Sequence, residues 1–449
     1  MPPEPPGPKR VLVVAYYFPP AGGPGVQRVL KAVKYLGRSG WAPSVLTVAD
    51  GAFAQRDPAL EADVPAGVAV VRTRALDPFG LYGRLTGKKG GEAVPVGSVG
   101  GRGGAAERLA RWARANLFLP DARVGWVPFA TSAALRMHRA HPFDAVLTSG
   151  PPHSVHLVGR ALARRTGVPW VADFRDPWTG INFYDDLPMT AAARRLDRRL
   201  EASVLREAGR LTTVSPTWAA ALARKAGRPA AGVTVVHNGF DAADFLGLDE
   251  ARPPEKTFVL AHVGSLYGSR NPAALWAALA RLKAEGRLGR FRLRLVGAVD
   301  AAVRGAADRA GVGDLLDVTG YVGHPEAVRA MREATALLLV VEGFGLEGGM
   351  ITGKAYEYLG AGRPVVGLGP ADGDAAGLLA ETGAGTMLPR DAADALAAHL
   401  GGLIARWERG EPLGGASPEA AARYTREAQT AALARVLDTV AGKGPTVDD

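Results

Sequence analysis

The sequence predicts an α/β protein of two doubly wound parallel sheets with a cleft between them. Three observations support this. Short apolar runs such as Arg10–Ala15 and Phe258–Val263 lack polar alternation, as strands buried on both faces do. Many of them run into a glycine- or proline-rich turn and then a helical segment, the recurring unit of a parallel sheet. The pattern breaks in a polar stretch at 241–256, with Pro253-Pro254, and then restarts, so the 449 residues divide into two halves.

In the first half, residues 1–9 read as a disordered, proline-rich tail and 10–240 as one domain. The strand Arg10–Ala15 feeds the turn Tyr16–Gly25 and a helix, Val26–Arg38. Glycines and prolines are crowded there beyond the needs of a turn, which points to a lip over a substrate rather than a flexible loop. The spacing is not GxGxxG, so a nicotinamide site gains no support. Strands follow at Trp41–Thr47 and Val68–Arg72, then a glycine-rich segment, Leu85–Arg102, that reads as a mobile loop. The helix Ala105–Leu119 is amphipathic, with Leu109, Trp112 and Leu117 apolar and Arg108, Arg111 and Arg114 basic. It is read as a surface helix packed by its stripe, or else as a contact with anionic lipid.

The strand Phe143–Ser149 ends at Gly150-Pro151-Pro152-His153, and Pro169–Ala172 ends in the loop Asp173-Phe174-Arg175-Asp176-Pro177-Trp178. Ligands of open α/β sheets bind outside the carboxyl ends of strands, so His153, Asp173, Arg175 and Asp176 are well placed. An internal Asp–Arg pair that merely holds the loop is the alternative. A helix Ala191–Glu207, with Arg194-Arg195 and Arg198-Arg199, presents a solvated basic face, and strands at Arg210–Val214 and Val233–Val236 complete this half.

The second domain, 257–416, begins with Phe258–Val263, the turn Gly264–Pro272 and the helix Ala273–Glu285. Strands Arg292–Val296 and Leu316–Thr319, with Gly320-Tyr321-Val322 after the latter, precede the helix Pro325–Glu333. The strand Leu337–Val341 then breaks into a glycine-rich turn, Glu342–Gly349, and a helix at Ile351–Leu359, followed by strands Pro364–Leu368 and Thr386–Leu388. A glycine-rich turn at a helix N-terminus offers unpaired N–H groups and partial positive charge, which suit a phosphate. Lys354 and Glu357, three apart, share one helix face: the amine could meet phosphate and the carboxylate a ribose diol, or both are simply solvated. A final helix, 417–440, is expected to cross back to the first domain.

There is no cysteine, which excludes disulfides, thiolate zinc sites and thiol nucleophiles and fits a cytoplasmic protein. Neither a secretion signal nor a run of about 18 apolar residues is expected. Net charge is +10, but no basic surface interleaved with aromatics is evident, so nucleic acid is not an expected partner. The charge also suits an anionic substrate or peripheral contact with the anionic inner face of a membrane.

With these motifs in order, the chain resembles the bacterial glycosyltransferases with two facing Rossmann-like domains, the GT-B architecture, and specifically the retaining family 4 group. The resemblance covers almost the whole chain and rests on YYFPPAGGPGVQR, DFRDPW, VVHNGFD, GSLYGSRNP, GYV and GGMITGKAYEYLGAGRPVV together. It implies a metal-independent enzyme without cofactor. A nucleoside-diphosphate sugar, UDP- or GDP-linked, would bind the second domain, and a saccharide, lipid-linked or natural-product acceptor the first. Glu357 would hold the ribose. Amides around Gly348, Gly349, Met350, Ile351 and Thr352 would meet the diphosphate, with Arg270 and Lys354 as its cations beside Gly264. Tyr321 and Val322 would flank the base, and Gly22 and Gly23 would face the sugar phosphate. His153 and Asp173 would lie at the reacting centre, and Arg175, Asp176 and Trp178 on the acceptor side. Two positions depart from the commoner pattern: Gly349 stands where many relatives have a sugar-contacting Glu, and Ser265, not Arg, follows Gly264. A sugar-nucleotide epimerase recruiting Glu342, Glu347 or Asp173, and a non-catalytic sugar-nucleotide-binding partner, are the rival readings.

Overall fold

The computed structural model describes residues 7–51, 53, 56–76, 105–181, 183–342 and 348–442. The expected loop Leu85–Arg102, most of the N-terminal tail and Glu347 lie outside the described residues. The chain forms two compact units: residues 1–237 with 429–449, and residues 238–428.

The first unit holds a seven-stranded sheet, β1 (Lys9–Val14), β2 (Trp41–Val48), β3 (Ala69–Thr73), β4 (Ala145–Gly150), β5 (Trp170–Phe174), β6 (Arg210–Thr213) and β7 (Val233–Val235). Every pairing is parallel and the order is β3-β2-β1-β4-β5-β6-β7. The second unit holds β8 (Phe258–Val263), β9 (Phe291–Val296), β10 (Leu316–Gly320), β11 (Ala336–Val340), β12 (Val365–Leu368) and β13 (Gly385–Leu388). These are again all parallel, in the order β10-β9-β8-β11-β12-β13. Both are the doubly wound order, in which the direction of winding reverses between β1 and β4, and between β8 and β11. Those reversals open crevices at the carboxyl ends of the strands.

The unbroken apolar strands have a simple cause. Successive side chains point to opposite faces, and both faces of each sheet are covered by helices. In β1, Leu12 and Val14 enter one core while Val11 and Val13 enter the other. In β11, Ala336, Leu338 and Val340 pack on one side, and Leu337 and Leu339 on the other. Each such side chain, fully buried, contributes about 1.5–3 kcal/mol, so neither face tolerates a polar alternation.

Several helix ends shift by up to two residues, as at Pro24–Leu36 and Ala105–Leu117, and two differences bear on the site or the chain path. The helix near the phosphate turn spans Gly353–Ala361, not Ile351–Leu359. Thr352 is its N-cap with extended backbone, and Ile351 is drawn into the core at 6% exposure. The C-terminal helix is two helices, Pro418–Ala422 and Arg426–Ala441. Between them the chain pairs with Phe240, whose N–H donates to Tyr424 O at 3.0 Å and whose carbonyl accepts from Arg426 N–H at 2.6 Å. That pairing interrupts the helical ladder. From Gln429 onward the second helix belongs to the first unit, where Leu433 and Leu437 join Val11, Val13 and Leu30.

Candidate functional site: two strand-end clusters

In the second unit the crevice is held open by a side chain. β8 and β11 pair only at Ala336 with Leu260 and Leu337 with Ala261. Beyond that point Tyr358, from the helix Gly353–Ala361, takes over: its hydroxyl accepts from Val263 N–H at 3.0 Å and donates to Leu338 O at 3.3 Å. His262 adds a second bond, its Nδ1 lying 2.9 Å from the same carbonyl. A carbonyl can only accept, so Nδ1 carries the proton and Nε2 is an acceptor. Lys354 Nζ lies 3.4 Å from that Nε2. Burial first, and then the Lys354 charge, lower the His262 pKa to about 3, so the imidazole is neutral.

Lys354 itself is held low. Burial first and the Arg270 charge second bring its pKa down to about 8, with Glu357 partly opposing them. Among the described residues no carboxylate forms an ion pair with it. Its stem occupies the space over Gly264, where an added Cβ would run into Lys354 Cε and Nζ. Gly264 also has φ 123°, a conformation L side chains rarely adopt. A second close approach sits behind it, since a Cβ on Gly297 would lie 2.7 Å from the Gly264 carbonyl carbon. Arg270 pairs with Glu342 across 3.2 Å at the end of β11. Gly348 turns at φ 57° and its carbonyl accepts from Asp374 N–H at 2.5 Å. Thr352 Oγ1 is buried without a hydrogen-bond partner at the helix N-terminus. Glu357 lies on the same helix; burial raises its carboxyl pKa, against the nearby His324 and Arg426. Tyr321 is 80% exposed after β10, and Val322 packs partly against the core. Gly349 and Met350 lie in the irregular turn before Thr352.

In the first unit the strand-end residues come together, but in roles the sequence did not separate. Asp173, 3% exposed, accepts from Arg28 Nε at 3.0 Å and Nη2 at 2.8 Å, from Ser149 Oγ at 2.7 Å and from Thr212 Oγ1 at 2.8 Å. Burial pushes its pKa up, yet Arg28 and the two hydroxyls outweigh burial and hold it below the ordinary carboxylate value. With both oxygens taken, Asp173 anchors the sheet end. The internal Asp–Arg pair therefore exists, but its arginine is Arg28, which also donates to His237 O at 3.0 Å. Arg175 is occupied instead by backbone. Its Nε donates to Gly150 O at 3.1 Å, and its Nη groups donate to Gly25 O and Pro151 O, stapling the β4 loop to the turn after β1. Gly23, at φ 104°, caps the helix Pro24–Leu36 beside that staple, and Gly22 is partly buried. Burial raises the pKa of Asp176.

Trp178 is buried and stacks on His153, ring centroids 5.0 Å apart at 5°. Its Nε1 donates to Asp197 Oδ1 at 2.9 Å, and Tyr184 donates to Asp197 Oδ2 at 2.9 Å. Glu201, one turn on, receives Thr179 Oγ1 at 2.7 Å and Lys225 Nζ at 2.8 Å. Arg28, Thr212, His156, His262 and Tyr358 escaped the sequence reading. The one available signal was Asp197 and Glu201, two acids four apart in a helix otherwise lined with arginine.

Residues 22–239 match the family described as a glycosyl transferase 4-like domain. Among solved structures, the sucrose-phosphate synthase of Thermosynechococcus elongatus is similar over 97% of this chain and 100% of its own, with 17% identity and a TM-score of 0.63. The chain carries a family 4 glycosyltransferase domain on a GT-B fold. Anabaena HepE, solved in complex with UDP-glucose, is 16% identical over 96% of this glycosyltransferase and 99% of its own chain, TM-score 0.58. WaaG, a glycosyltransferase involved in lipopolysaccharide biosynthesis, is 14% identical over 96% and 100%, TM-score 0.54. Among curated proteins, none matches this sequence. At such identities these structures speak for the fold, and the family match lies almost wholly in the first unit of the glycosyltransferase. Among the described residues, no group of three or more His, Asp or Glu is placed to hold a metal ion, and no helix is long and apolar enough to cross a membrane.

Proposed function

We propose that this glycosyltransferase moves a sugar from a nucleoside-diphosphate sugar, UDP- or GDP-linked, to a hydroxyl of a saccharide, lipid-linked or small-molecule acceptor, with retention. The observation that carries the donor assignment is Lys354: a largely buried amine, lacking a carboxylate partner among the described residues, beside Arg270 at the end of a parallel sheet. A diphosphate supplies the missing counter-charge. In this reading Lys354, Arg270 and the amides of Gly348 to Thr352 stabilise the charge that develops on the leaving group. The acceptor oxygen bonds to the anomeric carbon, the bond to the diphosphate oxygen breaks with its electron pair leaving on phosphate, and the acceptor proton is released. Glu357 binds the ribose hydroxyls, Tyr321 and Val322 flank the base, and Gly264 gives the amine its approach. Gly22, Gly23 and His153 face the reacting sugar, while Asp176 lies on the acceptor side. Asp173, Arg175 and Trp178 serve as the frame behind them. Retention is inferred from family resemblance and is tested by NMR of the new linkage, an inverted product overturning it.

The donor is tested by a thermal-shift panel of UDP-, GDP-, ADP- and dTDP-sugars, since a ligand at 100 times its Kd stabilises the native state by about 2.7 kcal/mol. One class is expected to raise Tm in the wild type and not in Lys354→Met. If no nucleotide sugar shifts Tm, or the variant shifts equally, the donor assignment is wrong.

We also propose peripheral contact with an anionic membrane on its cytoplasmic side. Leu109, Trp112 and Leu117 are 65%, 43% and 67% exposed on one arginine-rich helix, Ala105–Leu117. Asn116 ties that helix to the start of the next basic one, donating to Pro188 O and accepting from Thr190 N–H at 2.8 and 2.7 Å. The face of Ala191–Glu207 beyond that tie carries Arg195, Leu196, Arg198 and Arg199, all exposed. Exposed apolar groups set among arginines suit a lipid interface with anionic headgroups.

A further inference from the structure

Four rings pack together at the ends of β4 and β5: Phe174, His156, His153 and Trp178. His153 lies against the other three, its centroid 5.0 Å from that of Trp178, 5.9 Å from His156 and 6.0 Å from Phe174. Phe174 and His156 are fully buried and Trp178 is 3% exposed, so of these four rings only His153 belongs to a residue still partly open to solvent. Its plane therefore depends on the rings packed behind it. His156 is held by Thr148, whose Oγ1 lies 2.8 Å from Nδ1. Trp178, parallel to His153 within 5°, is held by Asp197, whose Oδ1 accepts from Nε1 at 2.9 Å.

Asp197 is a costly tether. It is 2% exposed and has no ion-pair partner among the described residues, unlike Glu201, which pairs with Lys225 at 2.7 Å. What it supplies is two oxygens that accept. Oδ1 takes the Trp178 indole N–H and Oδ2 the Tyr184 hydroxyl, also at 2.9 Å. Hydrogen bonds to a charged acceptor are roughly twice as strong as neutral ones. One turn on, Glu201 accepts from Thr179 N–H at 3.3 Å and from Thr179 Oγ1 at 2.7 Å. Two successive residues of the loop after β5 are thus tied to the helix Ala191–Glu207.

We propose that Asp197 is a positioning residue for His153, acting through Trp178. Its Oδ1 fixes where the indole sits in its own plane, and the stacked indole sets the plane of the imidazole at the end of β4. Buried itself, Asp197 touches no substrate. The catalytic consequence rests on the glycosyl-transfer reading, in which His153 faces the reacting sugar; the placement of the ring does not. Hydrogen-bond direction separates this role from an electrostatic one. The indole N–H can only donate, so in Asp197→Asn it keeps the amide oxygen. The Tyr184 hydroxyl can donate or accept, and turns to accept from the amide N–H. The tether survives the loss of charge, whereas Asp197→Leu, which has no polar atom, removes it.

Full-length protein with 13C-labelled histidine rings and 15N-labelled tryptophan tests this by NMR. In the wild type the Trp178 indole N–H is expected to exchange slowly with solvent, and the His153 ring protons to lie upfield, under the face of the indole. Asp197→Asn is expected to leave the His153 signals in place, and Asp197→Leu to move them toward those of an unstacked imidazole. Tyr184→Phe, which breaks only the bond to Oδ2, is expected to leave them in place as well. In turnover, Asp197→Leu lowers kcat by about tenfold to a hundredfold with KM for the donor unchanged, and Asp197→Asn stays near the wild type. His153 signals that do not move in an Asp197→Leu protein that still melts cooperatively overturn the proposal. So does an Asp197→Asn protein in which His153 is displaced as far as in Asp197→Leu. A fast-exchanging Trp178 N–H or an unshifted His153 ring in the wild type overturns it without any variant. Displaced His153 signals in Asp197→Leu, in a protein whose wild type transfers no sugar, sustain the positioning role and remove the glycosyl-transfer reading instead.

Discussion

Replacing Lys354 by methionine is expected to make the ligand-free protein more stable at neutral pH, although it removes a proposed binding group. The unfolded lysine holds its proton up to pH 10.5, the folded one only to about 8. At about 1.4 kcal/mol per unit, the native state carries a charge-burial cost of about 3 kcal/mol below pH 8. Between those values the unfolded chain binds more protons than the folded one, so the cost fades and stability rises as pH increases. Methionine fills nearly the same stem without charge. It forfeits the 3.4 Å bond to His262, worth about 1 kcal/mol, leaving a net gain of about 2 kcal/mol at pH 7. Urea unfolding of wild type and Lys354→Met at pH 7 and pH 10 measures it, with most of the gain expected to vanish at the higher pH. A variant less stable than wild type at pH 7, or a gain independent of pH, refutes the reasoning.

Asp173→Asn leaves the Arg28 guanidinium buried without its counter-charge, and is expected to cost about 3–5 kcal/mol in urea unfolding at pH 7. Because the Asp173 pKa is held below its ordinary value, the wild-type advantage should shrink as pH falls through the acid range; a constant difference would contradict the pairing. Sedimentation with vesicles should show binding to anionic and not to zwitterionic lipid, weakening with salt and with Leu109, Trp112 and Leu117 changed together to serine. Equal binding to both vesicle types would place the contact elsewhere or make it nonspecific.

The strands were legible because burial on both faces leaves a continuous apolar signature, as in Leu337–Val341. Several helices were not, among them Val127–Ala140, Pro216–Ala226 and Ala393–Glu408. They are rich in alanine, whose small side chain packs without drawing a strong apolar stripe. At the site, Lys354 and Glu357 could be read together because they stand three positions apart on one helix. Arg28 with Asp173, 145 residues apart, and Lys354 with His262, 92 apart, are tertiary meetings that no local period announces. That is also why the internal partners of Asp173 and Arg175 could not be named from the sequence. A strand end tells that a polar group is near the crevice, not what has already claimed its hydrogen bonds.

The return of the chain into its first unit has a bearing on synthesis. β1 is made long before Leu433 and Leu437, which pack with Val11 and Val13 on one face of it. The unit of residues 238–428 is contiguous and can close as soon as it has emerged. The amino-terminal unit must wait with an apolar face uncovered, reversing the usual order in which the first domain made is the first to finish. Chaperone demand, and loss of yield on removing the helix Arg426–Ala441, should therefore fall on the first unit.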